Sequence, residues 1–159
     1  MKFIPTFAVA FLMLIIFQAN ASTNITVNSP NQIVQLKVTT EADGSIWYSV
    51  NRKEKAVILP STFSFKLSKP EVVLQQFIIT AIDSSAVDES WQPVWGELKN
   101  IRNHYKQLTL TLADKNNSGI IIKLVFRIFD DGAAFRYEFP EQKKLKHFIG
   151  LGRINAKSF

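Results

Sequence analysis

Between Ser90 and Tyr105 the chain collects two of its three tryptophans, Trp91 and Trp95, and one of its two histidines, His104. The same stretch holds the cations Lys99 and Arg102 and the carboxylate Glu97. Such a set has the groups to bind a polar ligand or a neighbouring domain. Aromatic faces cover apolar C–H surface, while Glu97, Arg102, His104 and Tyr105 offer charge, donors and acceptors. Trp91 and Trp95 flank Pro93, whose fixed φ and missing N–H argue against a central strand or a helix interior, and Gly96 allows a bend. Plain packing at a strand edge or interface is the commoner use of tryptophan and competes with this reading.

The carboxylates available for acid–base work are Asp88, Glu89, Glu97, Asp130, Asp131 and Glu138. Asp130 and Asp131 precede Gly132 and read as turn formers, and Glu138 alternates with Arg136 and reads as a cross-strand partner. Glu97 is the best single candidate, but acid–base chemistry of the paired-carboxylate kind needs a second group across the reacting bond. No catalytic residue is therefore assigned. His104 and His147 are the only histidines and the chain has no cysteine, so His-rich and Cys-type zinc sites, disulfides and thiol catalysis are excluded, and no metal site is assigned.

The elements that must position these groups follow a period of two. Val34, Leu36 and Val38 alternate with polar residues, Asp43-Gly44 turns the chain, and Ile46, Tyr48 and Val50 return as a hairpin. Arg52 to Lys55 reads as a solvated turn. Ala56 to Leu59 reads as a short strand closed by Pro60, and Phe63, Phe65 and Leu67 point inward from the next. A single strand is expected over 72–81, a loop over 83–89, a strand through Leu108, Leu110 and Leu112, and the longest strand over 120–130. Asp130-Asp131-Gly132 then turns the chain into a strand with Phe135, Tyr137 and Phe139 on one side. No window carries a convincing helical stripe. The expected fold is all-β, an antiparallel sandwich with its 13 phenylalanines filling the space between two sheets.

At the N-terminus, Lys2, the apolar run Thr6 to Phe17 and Ala19-Asn20-Ala21 have the form of a cleavable signal peptide, residues 1–21. The run is too short for a comfortable membrane span, so an exported, periplasmic or secreted chain starting near Ser22, with no stable span after cleavage, is expected. The formal charge of +6 is carried by Lys2, Lys143, Lys144, Lys146, Arg153 and Lys157; between residues 22 and 142 cations and acids balance. A basic groove for nucleic acid has no charge to draw on there.

Three motifs in order carry a family resemblance: Ser85 to Glu97 (SAVDESWQPVWGE), Arg102-Asn103-His104-Tyr105, and Phe126 to Pro140 (FRIFDDGAAFRYEFP). With Val27-Asn28-Ser29-Pro30-Asn31 leading into the first hairpin, residues 25–142 resemble the N-terminal domain of glycoside hydrolase family 97. The resemblance implies exported, calcium-dependent α-glucosidases or α-galactosidases, in which an N-terminal β-supersandwich packs on a catalytic (β/α)8 barrel that carries the acid and base carboxylates. It implies an oligosaccharide or α-glycoside as the ligand of a barrel this chain lacks, calcium for the whole enzyme but no cofactor here, and a non-catalytic, carbohydrate-binding or domain-docking role. Trp91, Trp95, Glu97, Arg102, His104 and Tyr105 are the candidates for that surface. The domain expected is 22–142, incomplete against the family sandwich. Residues 143–159 read as a basic tail foreign to the fold, from a truncated or frameshifted gene. The alternatives are a genuine short protein, an independent exported carbohydrate-binding sandwich, and a small enzyme in its own right, for which no nucleophile with a base beside it and no paired acids are seen.

Overall fold

The computed structural model describes residues 22–116, 118–147 and 149–153, the side chains of 151–153 excepted, so the signal segment lies outside the described residues. Strands β1 (Thr23–Asn28), β2 (Val34–Thr40), β3 (Ile46–Arg52) and β4 (Lys55–Thr62) form one antiparallel sheet in that order. Strands β5 (Phe65–Lys69) and β6 (Glu71–Leu74) pair with each other, and β5 also pairs with β11 (Ile149–Arg153). Strands β7 (Phe77–Trp91), β8 (Ile101–Asp114), β9 (Ile121–Ile128) and β10 (Ala133–Glu138) form the other large sheet, in the order β10-β9-β8-β7. This is the expected antiparallel all-β architecture.

Alternation decides what lies inside. Val34, Leu36 and Val38 of β2 and Ile46, Tyr48 and Val50 of β3 are buried in one core with Leu108, Leu110 and Leu112 of β8 and Ile122, Leu124 and Phe126 of β9. Each such aliphatic side chain contributes about 1.5–3 kcal/mol on burial. Phe63 plugs the gap between the sheets, stacked on Tyr48 at 4.3 Å and edge-on to Phe135 at 5.1 Å. The β2–β3 turn is held by Ser45 N–H donating to Asp43 at 2.7 Å. Gly44 has φ +92, and a Cβ there would lie 3.0 Å from the Phe77 carbonyl, so both conformation and space require glycine.

Four expectations need correction. Residues 83–89 are strand, not loop, because β7 runs unbroken to Trp91. The expected strand over 72–81 is two strands, broken at Gln75 and Gln76. The strand at 120–130 is shorter than β7 and β8, with 8 residues against 15 and 14, although it is central as its apolar faces imply. Pro60 does not close β4, which bulges against β3 and continues to Thr62. The fold also continues past residue 142. Leu145, in a short 3-10 turn at Lys143–Leu145, joins the core, and β11 pairs with β5.

Candidate functional site

Register builds the candidate site. β8 pairs with β7 along its whole length, from Asp114 opposite Phe77 to Ile101 opposite Trp91. β9 covers β8 only from Lys106 to Ala113. The outer ends of β7 and β8 therefore project beyond the sandwich as a two-stranded ribbon, closed by the loop 92–100. At its tip Val94, Trp95 and Leu98 are 98%, 90% and 65% exposed, and Trp91, where the tip begins, is half exposed. Gln92 donates to Asn100 at 3.0 Å across the loop, and Glu97 is exposed within it.

Directly opposed residues share a face of an antiparallel pair. Asp88 opposes His104 and Ser90 opposes Arg102, so these four lie on one face, while Glu89 and Asn103 lie on the other. On the first face Arg102 donates to both oxygens of Asp88, each at 2.7 Å, and His104 Nε2 stands 4.0 Å from Asp88. On the second, Asn103 donates to Glu89 at 2.8 Å. Tyr105 also belongs to the second face and is buried, its ring 5.1 Å from Phe129, with the Arg127 guanidinium 4.7 Å above it. Tyr105 thus anchors the ribbon at its root and does not join the other candidates. The six expected residues divide into a tip (Trp91, Trp95, Glu97), two polar side chains on one face (Arg102, His104) and a buried anchor (Tyr105).

A groove of about 390 Å³ lies beside the charged face, lined by Asn31, Arg52, Arg102, His104, Asp130 and Asp131. Asp130 accepts from the Asn31 backbone at 2.9 Å and from its side chain at 2.8 Å, which ties the β9–β10 turn to the β1–β2 turn. The buried Ser29 hydroxyl accepts from the Ile33 and Val34 amides, each at 3.1 Å, and also bonds Asp130. The Ser29 hydrogen bond and the Asn31 amide hold the Asp130 carboxyl below its ordinary range, and the Arg102 hydrogen bond does the same for Asp88. Arg102 is raised in turn by its bond to Asp88.

A general acid requires a carboxyl pushed the other way, so the two carboxylates nearest His104 are fixed anions, structural in chemistry. Glu138, expected to pair across strands, pairs instead with Arg136 two residues away on its own strand, at 2.6 Å. Among the described residues no group of three or more histidine, aspartate or glutamate side chains is placed to hold a metal ion. Asn31 and Arg52 lie far along the chain from the Trp-rich stretch, and only folding brings them to this groove.

These features define an antiparallel β-sandwich domain with a projecting ribbon. Residues 27–154 match the family model described as Glycosyl-hydrolase 97 N-terminal, and the chain belongs to that family. That match takes in the segment after residue 142 as well. A glycoside hydrolase family 97 enzyme from Pseudoalteromonas sp. strain K8, solved in complex with panose, is similar with TM-score 0.73 and 28% identity, over 81% of this chain and 19% of that one. The same enzyme in complex with acarbose gives the same values, TM-score 0.73 and 28% identity over 81% and 19%. A β-arabinopyranosidase crystal structure shares the fold with TM-score 0.67 and 22% identity, over 76% of this chain and 19% of that one. The chain thus spans about 19% of the length of the solved structures it matches.

Proposed function

We propose that this chain is the N-terminal, non-catalytic sandwich portion of an exported α-glycosidase, and that the tip of the β7–β8 ribbon docks it on a catalytic barrel. The observation that carries the reading is the apolar tip, with Val94 98% and Trp95 90% exposed on a ribbon that projects beyond its own sheet. Exposed aromatic and aliphatic side chains gathered at one projection mark interaction surfaces. The family assignment supports a partner of this kind, since the solved relatives carry about four-fifths of their length outside the region this chain matches. The pairs Arg102–Asp88 and Asn103–Glu89 stiffen the ribbon, which lowers the ordering cost of docking. The glycoside is the ligand of the whole assembly, reached through the barrel, and calcium belongs to the barrel.

Mixing the purified chain with the remainder of the Pseudoalteromonas enzyme, made without its own N-terminal region, tests the reading by sedimentation velocity. Association that is lost in the Trp91→Ala/Trp95→Ala variant is the expected result. No association, or association indifferent to both substitutions, rules docking through the tip out.

A further inference from the structure

The outer face of the first sheet carries a row of side-chain amides that the docking role does not use. Asn28 of β1 opposes Gln35 of β2, and Gln35 opposes Asn51 of β3, so register places three amides side by side across three strands. Gln35 donates to the Asn28 carbonyl at 3.0 Å. That leaves the Asn28 NH2, the Gln35 carbonyl and the whole Asn51 amide without a protein partner among the described residues. Adjacent strands lie about 4.8 Å apart, so the row presents alternating donors and acceptors over about 10 Å.

The row floors a groove of about 600 Å³, walled by Gln32, Lys53 and Glu54. The wall is built: Lys53 N–H donates to the Ile33 carbonyl at 2.9 Å and joins the two turns. Among the described residues the only non-glycine residues with left-handed backbone are Gln32 (φ 59), Lys53 (φ 47) and Glu54 (φ 65), and all three line this groove. The neighbouring β2–β3 hairpin uses Gly44 for the same purpose. Left-handed backbone is costly for residues with a Cβ, and a Lys-Glu turn where Asn-Gly would be relaxed keeps long polar side chains at a conformational cost.

We propose that this groove is a binding site for a neutral oligosaccharide. Primary amides supply a donor and an acceptor together, which matches neighbouring sugar hydroxyls. The lining charges, Lys53 and Glu54, cancel, so no charged ligand is selected. Trp47, 38% exposed, lies on the same face of β3 four residues from Asn51, about 13 Å along the strand. A longer sugar chain leaving the groove in that direction meets its ring. The inference does not rest on the docking role, which uses other residues.

The test is a titration of the isotopically labelled full chain with maltotriose, cellotriose and trigalacturonic acid, followed through the side-chain NH2 signals. A neutral trisaccharide is expected to shift the Asn28, Gln35 and Asn51 signals saturably, and the acidic one to leave them in place. Asn51→Ala should weaken binding about five- to tenfold, and Trp95→Ala should not alter it, which keeps this result separate from docking. Glu54→Gly relaxes the left-handed turn, so it should raise Tm by a few degrees while weakening the sugar. The proposal is overturned if no neutral sugar moves these signals, if Asn51→Ala and Glu54→Gly bind as the parent does, or if Trp95→Ala abolishes binding.

Discussion

The two ends of the β7–β8 pair share one hydrogen-bonding pattern and have opposite physics. Toward Asp114, β8 lies between β7 and β9 and buries Leu108, Leu110 and Leu112 in the core. Toward Ile101, the third strand is gone, and the same two strands are held by Arg102–Asp88, Asn103–Glu89 and the buried Tyr105 at the boundary. Stability resides where apolar area is removed from water, and the exposed end has none to remove until something covers the tip. One continuous hairpin is therefore core at one end and, in the proposed docking, contact surface at the other.

Substitutions graded along the hairpin should separate the two ends. Leu110→Ala, in the fully buried half, should cost about 2–5 kcal/mol in urea unfolding. Tyr105→Ala, at the boundary, should cost about 2–4 kcal/mol and speed amide exchange throughout 101–105. Acid should act mainly on the turns and the ribbon. Asp88, Asp130 and Asp43 are each held below the ordinary carboxylate range, by Arg102, by Ser29 and Asn31, and by the Ser45 amide respectively. Their stabilisation is complete above the ordinary carboxylate pKa and is lost as pH falls through the lower folded values. Tm should therefore drop as pH is taken below about 4, and Asp130→Asn should flatten part of that slope. Trp95→Ala should leave stability within about 0.5 kcal/mol, because its ring contributes nothing to the isolated body. A large loss there would show that the tip is packed on the body of the domain.

Much of the sandwich is legible in the sequence because half-buried strands write their burial as alternation. Val34-Gln35-Leu36-Lys37-Val38 and Ile46-Trp47-Tyr48-Ser49-Val50 fix both the hairpin and its inward face. Residues 83–89 were illegible for the same reason. They lie on an edge strand exposed on both faces, so Asp83-Ser84-Ser85-Ala86 has no apolar beat and imitates a loop. The site divides likewise. Arg102, His104 and Tyr105 look like one cluster in sequence, yet period two sends the first two to one face and the third to the other. Asn28, Gln35 and Asn51 form a row that no sequence window contains, since only strand register brings them together. The 143–153 segment misleads by composition: its lysines suggest a loose tail, while Leu145 is buried and Lys144 bonds the Ser118 carbonyl.

The most direct measurement replaces the N-terminal region of the Pseudoalteromonas family 97 enzyme with residues 27–154 of this chain and follows unfolding by calorimetry. Docking through the tip should give one cooperative transition for the chimaera. It should give two separated transitions, with reduced glycoside hydrolysis, when Trp91 and Trp95 are both changed to alanine. Identical unfolding and identical hydrolysis in the two proteins would contradict it.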